Sequence, residues 1–175
     1  MIRYPIGSSD QMLVVTDAVL AHFRKHRQAR RWSREAGGQL FARLAAPEIR
    51  VEVATGPRPT DKRGRTYYHP DRRAERKEIM SQHRHGFHYV GDWHTHPSRR
   101  PDPSGTDVRN IRDCFLFSRH KLAAFVMIIV GTSAPPDGLR VSIHDGATEY
   151  VLSPLNIPQH ELKLFCSGET LYDRL

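Results

Sequence analysis

The most informative segment of this 175-residue chain is His94-Thr95-His96-Pro97-Ser98-Arg99-Arg100-Pro101-Asp102-Pro103-Ser104-Gly105-Thr106-Asp107. On an extended strand, side chains alternate between the two faces, so His94 and His96 project to the same side. The prolines that follow favour a chain reversal, which can bring a third side chain back to that side. A catalytic zinc ion takes three protein ligands and keeps a fourth position open for water. The spacing therefore indicates a zinc site formed by His94, His96 and Asp107.

The end of this segment also has the pattern of a helix start. Residues Val108 to Leu116 contain no glycine or proline, and their apolar members recur at near-helical spacing. A serine followed three residues later by an acid is a common signature at the first turn of a helix, where the helix dipole favours negative charge. We therefore predict that Ser104 caps a helix and that Asp107 serves both the helix start and the metal site.

These motifs resemble the JAB/MPN (JAMM) metalloprotease family, whose pattern is an upstream glutamate, then His-x-His-Pro, a short linker and Ser-x-x-Asp. The upstream glutamate corresponds to Glu35, which lies directly before the glycines of Ala36-Gly37-Gly38. The resemblance extends from about Val14 to Pro154. It implies an α+β fold of the MPN type, in which a mixed β-sheet is flanked by helices, related in outline to the cytidine-deaminase fold.

The resemblance also implies the chemistry of a zinc-dependent isopeptidase or peptidase. His94, His96 and Asp107 would hold Zn²⁺, Glu35 would take a proton from the attacking water, and Ser104 would donate a hydrogen bond to the developing oxyanion. Within the family, the phrase Gly91–Ser98 is more similar to the bacterial branch of antiphage (CBASS) operons than to the proteasome and signalosome branch.

That branch implies a protein substrate. The expected substrate is a ubiquitin-like protein or a cGAS/DncV-like nucleotidyltransferase whose C-terminus is joined to an amine of a target, with cleavage directly after that C-terminus. Sequence leaves three alternatives: a hydrolase releasing small adducts from ubiquitin-like sulfur-carrier proteins, a non-catalytic MPN scaffold, and a DNA-binding accessory protein. The complete motif argues against the scaffold, because scaffold members typically lose ligands.

The charge of the chain bears on its partners. A formal net charge of +8 raises the question of nucleic acid binding. The basic residues cluster at Arg24–Arg34 and Arg58–Lys77, without a helix-turn-helix, a finger or a pattern of interleaved aromatic residues. We therefore expect the charge to serve an acidic protein partner or solubility rather than nucleic acid.

The composition fits a single domain over residues 1–175, and the resemblance implies a JAB/MPN domain with a core at about 13–154 and a C-terminal tail at 155–175. A chain with 38% apolar residues can bury a substantial core. No stretch has the length of a membrane span and the first residues lack the profile of a signal peptide, so we expect a cytoplasmic protein without membrane contact. Cys114 and Cys166 are too few for a disulfide framework or a cysteine-type zinc site.

Periodicity and turn residues predict the remaining elements. They are an amphipathic helix over Leu13–Arg31, a hairpin of strands Gly38–Leu44 and Ile49–Thr55, a mobile polar loop over 56–65, a charged helix over Pro70–Gln82 with Ile79 and Met80 facing inward, a strand over His88–Trp93, a buried strand over Ala123–Val130, paired strands over Leu139–Ile143 and Thr148–Leu152, and a short helix over Gln159–Phe165.

We make separate predictions for four side chains near the histidine motif. Trp93, opposite the ligand face, is expected in the core. Asp92 shares the ligand face, and we interpret it either as an acceptor that orients His94 or as an ordinary surface acid. His83 and His85 form a second His-x-His without a correctly spaced carboxylate, and we expect them to be exposed.

Overall fold

The computed structural model describes residues 1–155 of the chain. Eight strands form one mixed sheet in the order β1-β2-β4-β3-β7-β8-β9-β10, and β5 pairs separately with β6. An α+β architecture with a mixed sheet agrees with the prediction. The elements are β1 (Ile2–Pro5), β2 (Met12–Val15), α1 (Asp17–His26), β3 (Gly37–Ala45), β4 (Glu48–Ala54), β5 (Lys62–Arg63), β6 (Tyr68–His69), α2 (Arg72–Arg84), β7 (His88–Thr95), α3 (Gly105–Phe117), β8 (Phe125–Val130), β9 (Leu139–His144) and β10 (Glu149–Leu152).

The sheet is covered on both faces, which explains why β8 is buried along its whole length. One face packs against α1 and carries the larger apolar cluster, while the other packs against Ile111 of α3. Because side chains alternate along a strand, β8 supplies three residues to each cluster. Those facing α1 are Val126, Ile128 and Val130, and those facing α3 are Phe125, Met127 and Ile129.

The predicted helix over Leu13–Arg31 is wrong at both ends. Met12–Val15 form strand β2, which pairs antiparallel with β1 and parallel with β4. Helix α1 begins only at Asp17, after the N-cap residue Thr16, and ends at His26. The apolar run Leu13–Val15 is completely buried. A short continuous apolar run suits a buried strand as well as a helix, so periodicity alone could not separate the two.

Helix α2 spans Arg72–Arg84, and the Asp71 carboxylate caps it by accepting from two backbone N–H groups. Met80 is 66% exposed, so the prediction that it faces inward is wrong. The buried residue of α2 is instead Glu75, which forms ion pairs with Arg58 and Arg72. The helix is therefore held to the segment that contains Arg58 partly through charged side chains.

The segment predicted to be a mobile loop, 56–65, is fastened to α2, and that prediction is wrong. Arg58 is 8% exposed and forms ion pairs with Asp61, Glu75 and Glu78. The Asp61 carboxylate also accepts from the Tyr68 hydroxyl at 3.0 Å, so the segment is linked to β6 as well. Removing one member of such a buried set would leave an uncompensated charge, at a cost of about 3–5 kcal/mol.

The other elements agree with the sequence predictions within a few residues. The hairpin of β3 and β4, strands β7 and β8, helix α3 and the β9–β10 pair are all present. Among residues 1–155, no helix is long and apolar enough to cross a membrane. The predicted helix over Gln159–Phe165, most of the 155–175 tail and Cys166 lie outside the described residues.

Candidate metal centre and its cleft

Strand β7 positions both histidines. It lies between β3 and β8, and its alternate residues Trp93 and Thr95 are buried on the α1 face, as expected for Trp93. The indole N–H of Trp93 donates to the Thr55 carbonyl at 2.9 Å, which fixes the rotation of the strand. His94 and His96 consequently project from the opposite face into a cleft.

The third side chain arrives through a capped helix start, as predicted. Asp107 N–H donates to Ser104 Oγ at 3.2 Å, and Ser104 N–H donates to Asp107 Oδ2 at 2.7 Å. This reciprocal capping box satisfies two backbone donors that a helix start otherwise leaves free. The proline-rich linker is itself held to the sheet, because Thr132 N–H donates to the Ser98 carbonyl at 2.8 Å.

The structure brings the three predicted ligands together. The Nε2 atoms of His94 and His96 are 3.1 Å apart. The Asp107 carboxylate lies 3.3 Å from the first nitrogen, through Oδ1, and 3.5 Å from the second, through Oδ2. Bonds of about 2.0–2.1 Å to a tetrahedral zinc ion would separate neighbouring donor atoms by about 3.3 Å. The distance between the two nitrogens, and that from each nitrogen to its nearer carboxylate oxygen, are therefore compatible with a shared zinc ion.

Charge interactions favour a cation at this point. Burial raises the pKa of Asp107, but hydrogen bonds from His94 and His96 outweigh burial and hold that pKa well below its usual range. The pKa of His96 is raised, chiefly by its hydrogen bond to Asp107. The carboxylate is thus ionised at neutral pH, and a metal ion would compete with protons for the imidazole nitrogens.

Glu35 lies two residues before the start of β3, and it lines the same cleft. It is 7% exposed, and its backbone is fixed because its N–H donates to the Gly64 carbonyl at 2.7 Å and its carbonyl accepts from Arg63 Nε at 2.5 Å. Burial raises the pKa of Glu35 to about 7, with His96 lowering it and Asp107 raising it. A carboxyl group with a pKa near neutrality is suited to taking up and returning a proton.

The cleft has a volume of about 450 Å³, and the β5–β6 segment forms one wall that sequence analysis missed. A Cβ atom at Gly37 would come within 2.6 Å of the Tyr68 ring and 2.8 Å of the Trp93 carbonyl oxygen. Glycine is therefore needed beside Glu35 to let this ring pack against the strand. The signal that could have revealed the wall is the aromatic run of Tyr67 and Tyr68 in an otherwise polar loop.

Asp92 also lines the cleft, so its interpretation as an ordinary surface acid is wrong. Its Oδ1 accepts from the Tyr89 hydroxyl at 3.0 Å. A bulge near Gly91, which has φ 148°, puts residues 89 and 92 on one face, where regular alternation would separate them. Burial, then the charge of Glu75, raise the pKa of Asp92 to about 7.

The second histidine motif behaves as the sequence predicts. His83 and His85 are both exposed at the C-terminal end of α2. His85 lies at the C-cap, where its ring Nδ1 is 2.8 Å from the Ser81 carbonyl oxygen. The motif thus belongs to a helix end and lies outside the cleft.

The fold and cleft define a JAB-type domain, and sequence comparison gives the family. The model for "Prokaryotic homologs of the JAB domain" matches residues 16–143, so the chain belongs to this family, as predicted. A solution structure of a protein from Desulfitobacterium hafniense shares the fold, with a TM-score of 0.57, 20% identity, and coverage of 80% of this chain and 89% of that one.

Relatives from two bacteria are named CD-NTase/cGAS isopeptidase. The Enterobacter hormaechei protein is 35% identical over 101 residues, which are 55% of this chain and 55% of that protein. The chain therefore spans about half the length of this relative. The Pseudomonas aeruginosa protein is 31% identical over 139 residues, covering 77% of this chain and 86% of the relative.

Proposed function

We propose that this protein is a zinc-dependent isopeptidase of bacterial CBASS defence that cleaves after the C-terminus of a conjugated cGAS/DncV-like nucleotidyltransferase. The observation that carries this proposal is the convergence of His94, His96, Asp107 and Glu35 in one cleft. The names of the relatives support a CD-NTase as the substrate, and a conjugated ubiquitin-like protein is the second member of the same substrate class.

In the proposed mechanism, the imidazoles of His94 and His96 and the Asp107 carboxylate would hold Zn²⁺. When bound, this ion would polarise the scissile carbonyl and lower the pKa of water. Glu35 takes the proton from the attacking water and returns it to the leaving amine. Since Ser104 Oγ accepts from Asp107 N–H, its own hydroxyl hydrogen is free to donate to the developing oxyanion.

The walls of the cleft suit an extended C-terminal tail. Close to Glu35, the Tyr68 ring packs directly on the backbone of Gly37 and narrows the cleft, so we propose that only small side chains of the tail fit next to the metal ligands. β3 is paired on both sides, by β4 and β7, whereas β6 pairs only with β5 among the strands of residues 1–155. The tail is thus proposed to add to β6, with affinity from backbone hydrogen bonds.

Changing the last residue of the tail tests this proposal. We expect a nucleotidyltransferase fused through its own C-terminus to a reporter to be cut directly after its native last residue. A bulky branched last residue should slow cleavage roughly 100-fold, the upper range for rejection by a small pocket. Mass spectrometry gives the cut site, and a chelator followed by zinc gives the metal dependence. Cleavage indifferent to the last residue, or none by the zinc-loaded protein, would favour the hydrolase of small adducts instead.

Replacing Ser104 separates its two roles. Ser104→Ala should lower kcat about 100-fold, the usual effect of losing one oxyanion donor. It should also lower the free energy of unfolding by about 1 kcal/mol through the lost cap. Ser104→Thr keeps both the hydroxyl and the cap and serves as the matched control. An unchanged kcat with a lowered Tm would leave Ser104 as a capping residue only.

A further inference from the structure

A second groove lies between α2 and α3 and adjoins the metal-site cleft. Its volume is about 1040 Å³, and its floor includes Tyr89 and Phe125 of the sheet. Three residues, Arg72, Glu75 and Asn110, line both the groove and the cleft. A protein whose tail occupies the cleft would therefore have further surface beside this groove.

The groove offers apolar surface that the fold itself does not use. Phe117, at the end of α3, is 84% exposed, and Leu44, at the end of β3, is 42% exposed. Single exposed apolar residues are common, but here two of them border one concavity together with Phe87 and Leu122. Apolar groups around a groove of this kind mark sites of protein interaction.

The groove also carries an excess of positive charge. Its lining includes Arg76, Arg119 and Lys121, and within residues 1–155 none of these forms an ion pair with an acidic side chain. Of the two acidic lining residues, Glu75 is paired with Arg72 and Arg58. The complementary occupant is therefore an acidic surface with an apolar side chain.

We propose that the α2–α3 groove docks an acidic surface of the nucleotidyltransferase, with an apolar side chain of that protein seated against Phe117. This inference rests on the proposed function. A second copy of this chain is a poor occupant because its net charge is +8 and an isologous contact would bring like charges together. In the proposed conjugates the nucleotidyltransferase is always the same protein, whereas the target joined to it varies. A groove of fixed shape and charge suits the partner that does not vary.

Charge reversal tests the groove without altering the metal site. The groove variant combines Arg76→Glu, Arg119→Glu and Lys121→Glu, and Phe117→Ser tests the apolar contact separately. The matched control combines Arg24→Glu, Lys25→Glu and Arg30→Glu, three exposed basic residues in or just after α1, which packs on the opposite face of the sheet. Both triple variants change the net charge equally.

Kinetics on two substrates give the expected result. One substrate is the full nucleotidyltransferase fusion, and the other is a short peptide of its C-terminal residues linked through an isopeptide bond to a reporter lysine. For the fusion, we expect the groove variant and Phe117→Ser to raise KM about tenfold or more, with kcat unchanged. The peptide should be cleaved by all variants as by wild type, which also shows that the variants are folded. An unchanged KM for the fusion, or an equal loss on both substrates, would overturn the docking site.

A binding measurement separates this inference from the proposed function. Zinc-loaded Glu35→Gln protein should bind the free nucleotidyltransferase in calorimetry, and the groove substitutions should weaken that binding about tenfold or more. Weakened binding without cleavage of either substrate by wild type would support the docking site and overturn the isopeptidase. Cleavage with binding unaffected by the groove substitutions would support the isopeptidase and overturn the docking site.

Discussion

Asp107→Ala is expected to lose bound zinc and catalytic activity together, with a fall in turnover of roughly 10⁴-fold or more, since the whole contribution of the metal is removed. Without the carboxylate, the site keeps only two imidazoles whose Nε2 atoms are 3.1 Å apart. Two neutral ligands are too few to hold a catalytic zinc ion, which takes three protein ligands. The measurement is zinc per protein chain after dialysis, paired with cleavage of the fusion substrate.

The control for this prediction must separate the metal site from the helix start. Asp107 also accepts from Ser104 N–H, so its removal weakens the capping box as well as the triad. Asp107→Asn retains an oxygen that can accept this bond but lacks the charge, and it should lose zinc with a smaller fall in Tm. His94→Ala and His96→Ala should behave as Asp107→Ala. One zinc ion per chain in folded Asp107→Ala protein would contradict the triad.

The convergence of the three candidate metal ligands could be predicted because local rules place them. Alternation along a strand sets the common direction of His94 and His96, and the capping box sets Asp107 beside Ser104. Glu35 is different, since it reaches the cleft only because β3 pairs with β7 and brings distant parts of the chain together. The family pattern identified it, and no rule of local spacing would have done so.

The rest of the cleft could not be predicted from the sequence, because it is formed by contacts between residues that are far apart in the chain. Arg58 stands in a basic, turn-rich stretch that is typical of a solvated loop, yet it is buried among three carboxylates. Tyr89 and Asp92 meet because of a bulge, which alternation cannot anticipate. For Leu13–Val15, a short apolar run is compatible with either a strand or a helix. These residues form a strand because they pair with β4.

Glu35→Gln should abolish turnover while leaving the metal and the fold in place. Glutamine has nearly the same volume as glutamate, and the bonds of residue 35 to Gly64 and Arg63 involve backbone atoms that the change does not touch. Because burial penalises the charged form of Glu35, a neutral amide should not lower the Tm. The amide cannot accept the proton of the attacking water, so kcat should fall by about 10²–10⁴-fold, the usual contribution of a general base.

Zinc content and rate measured on the same Glu35→Gln preparation decide the role of this residue. The prediction requires one zinc ion per chain, as in wild type, with the fall confined to kcat. Glu35→Asp is the matched variant, because it keeps the carboxylate but shortens the side chain, and it should recover part of the rate. Loss of a general base normally leaves less than about a tenth of the wild-type rate. If Glu35→Gln retains more than that, another group transfers the proton. Asp92, which lines the same cleft, would then be the next carboxylate to replace.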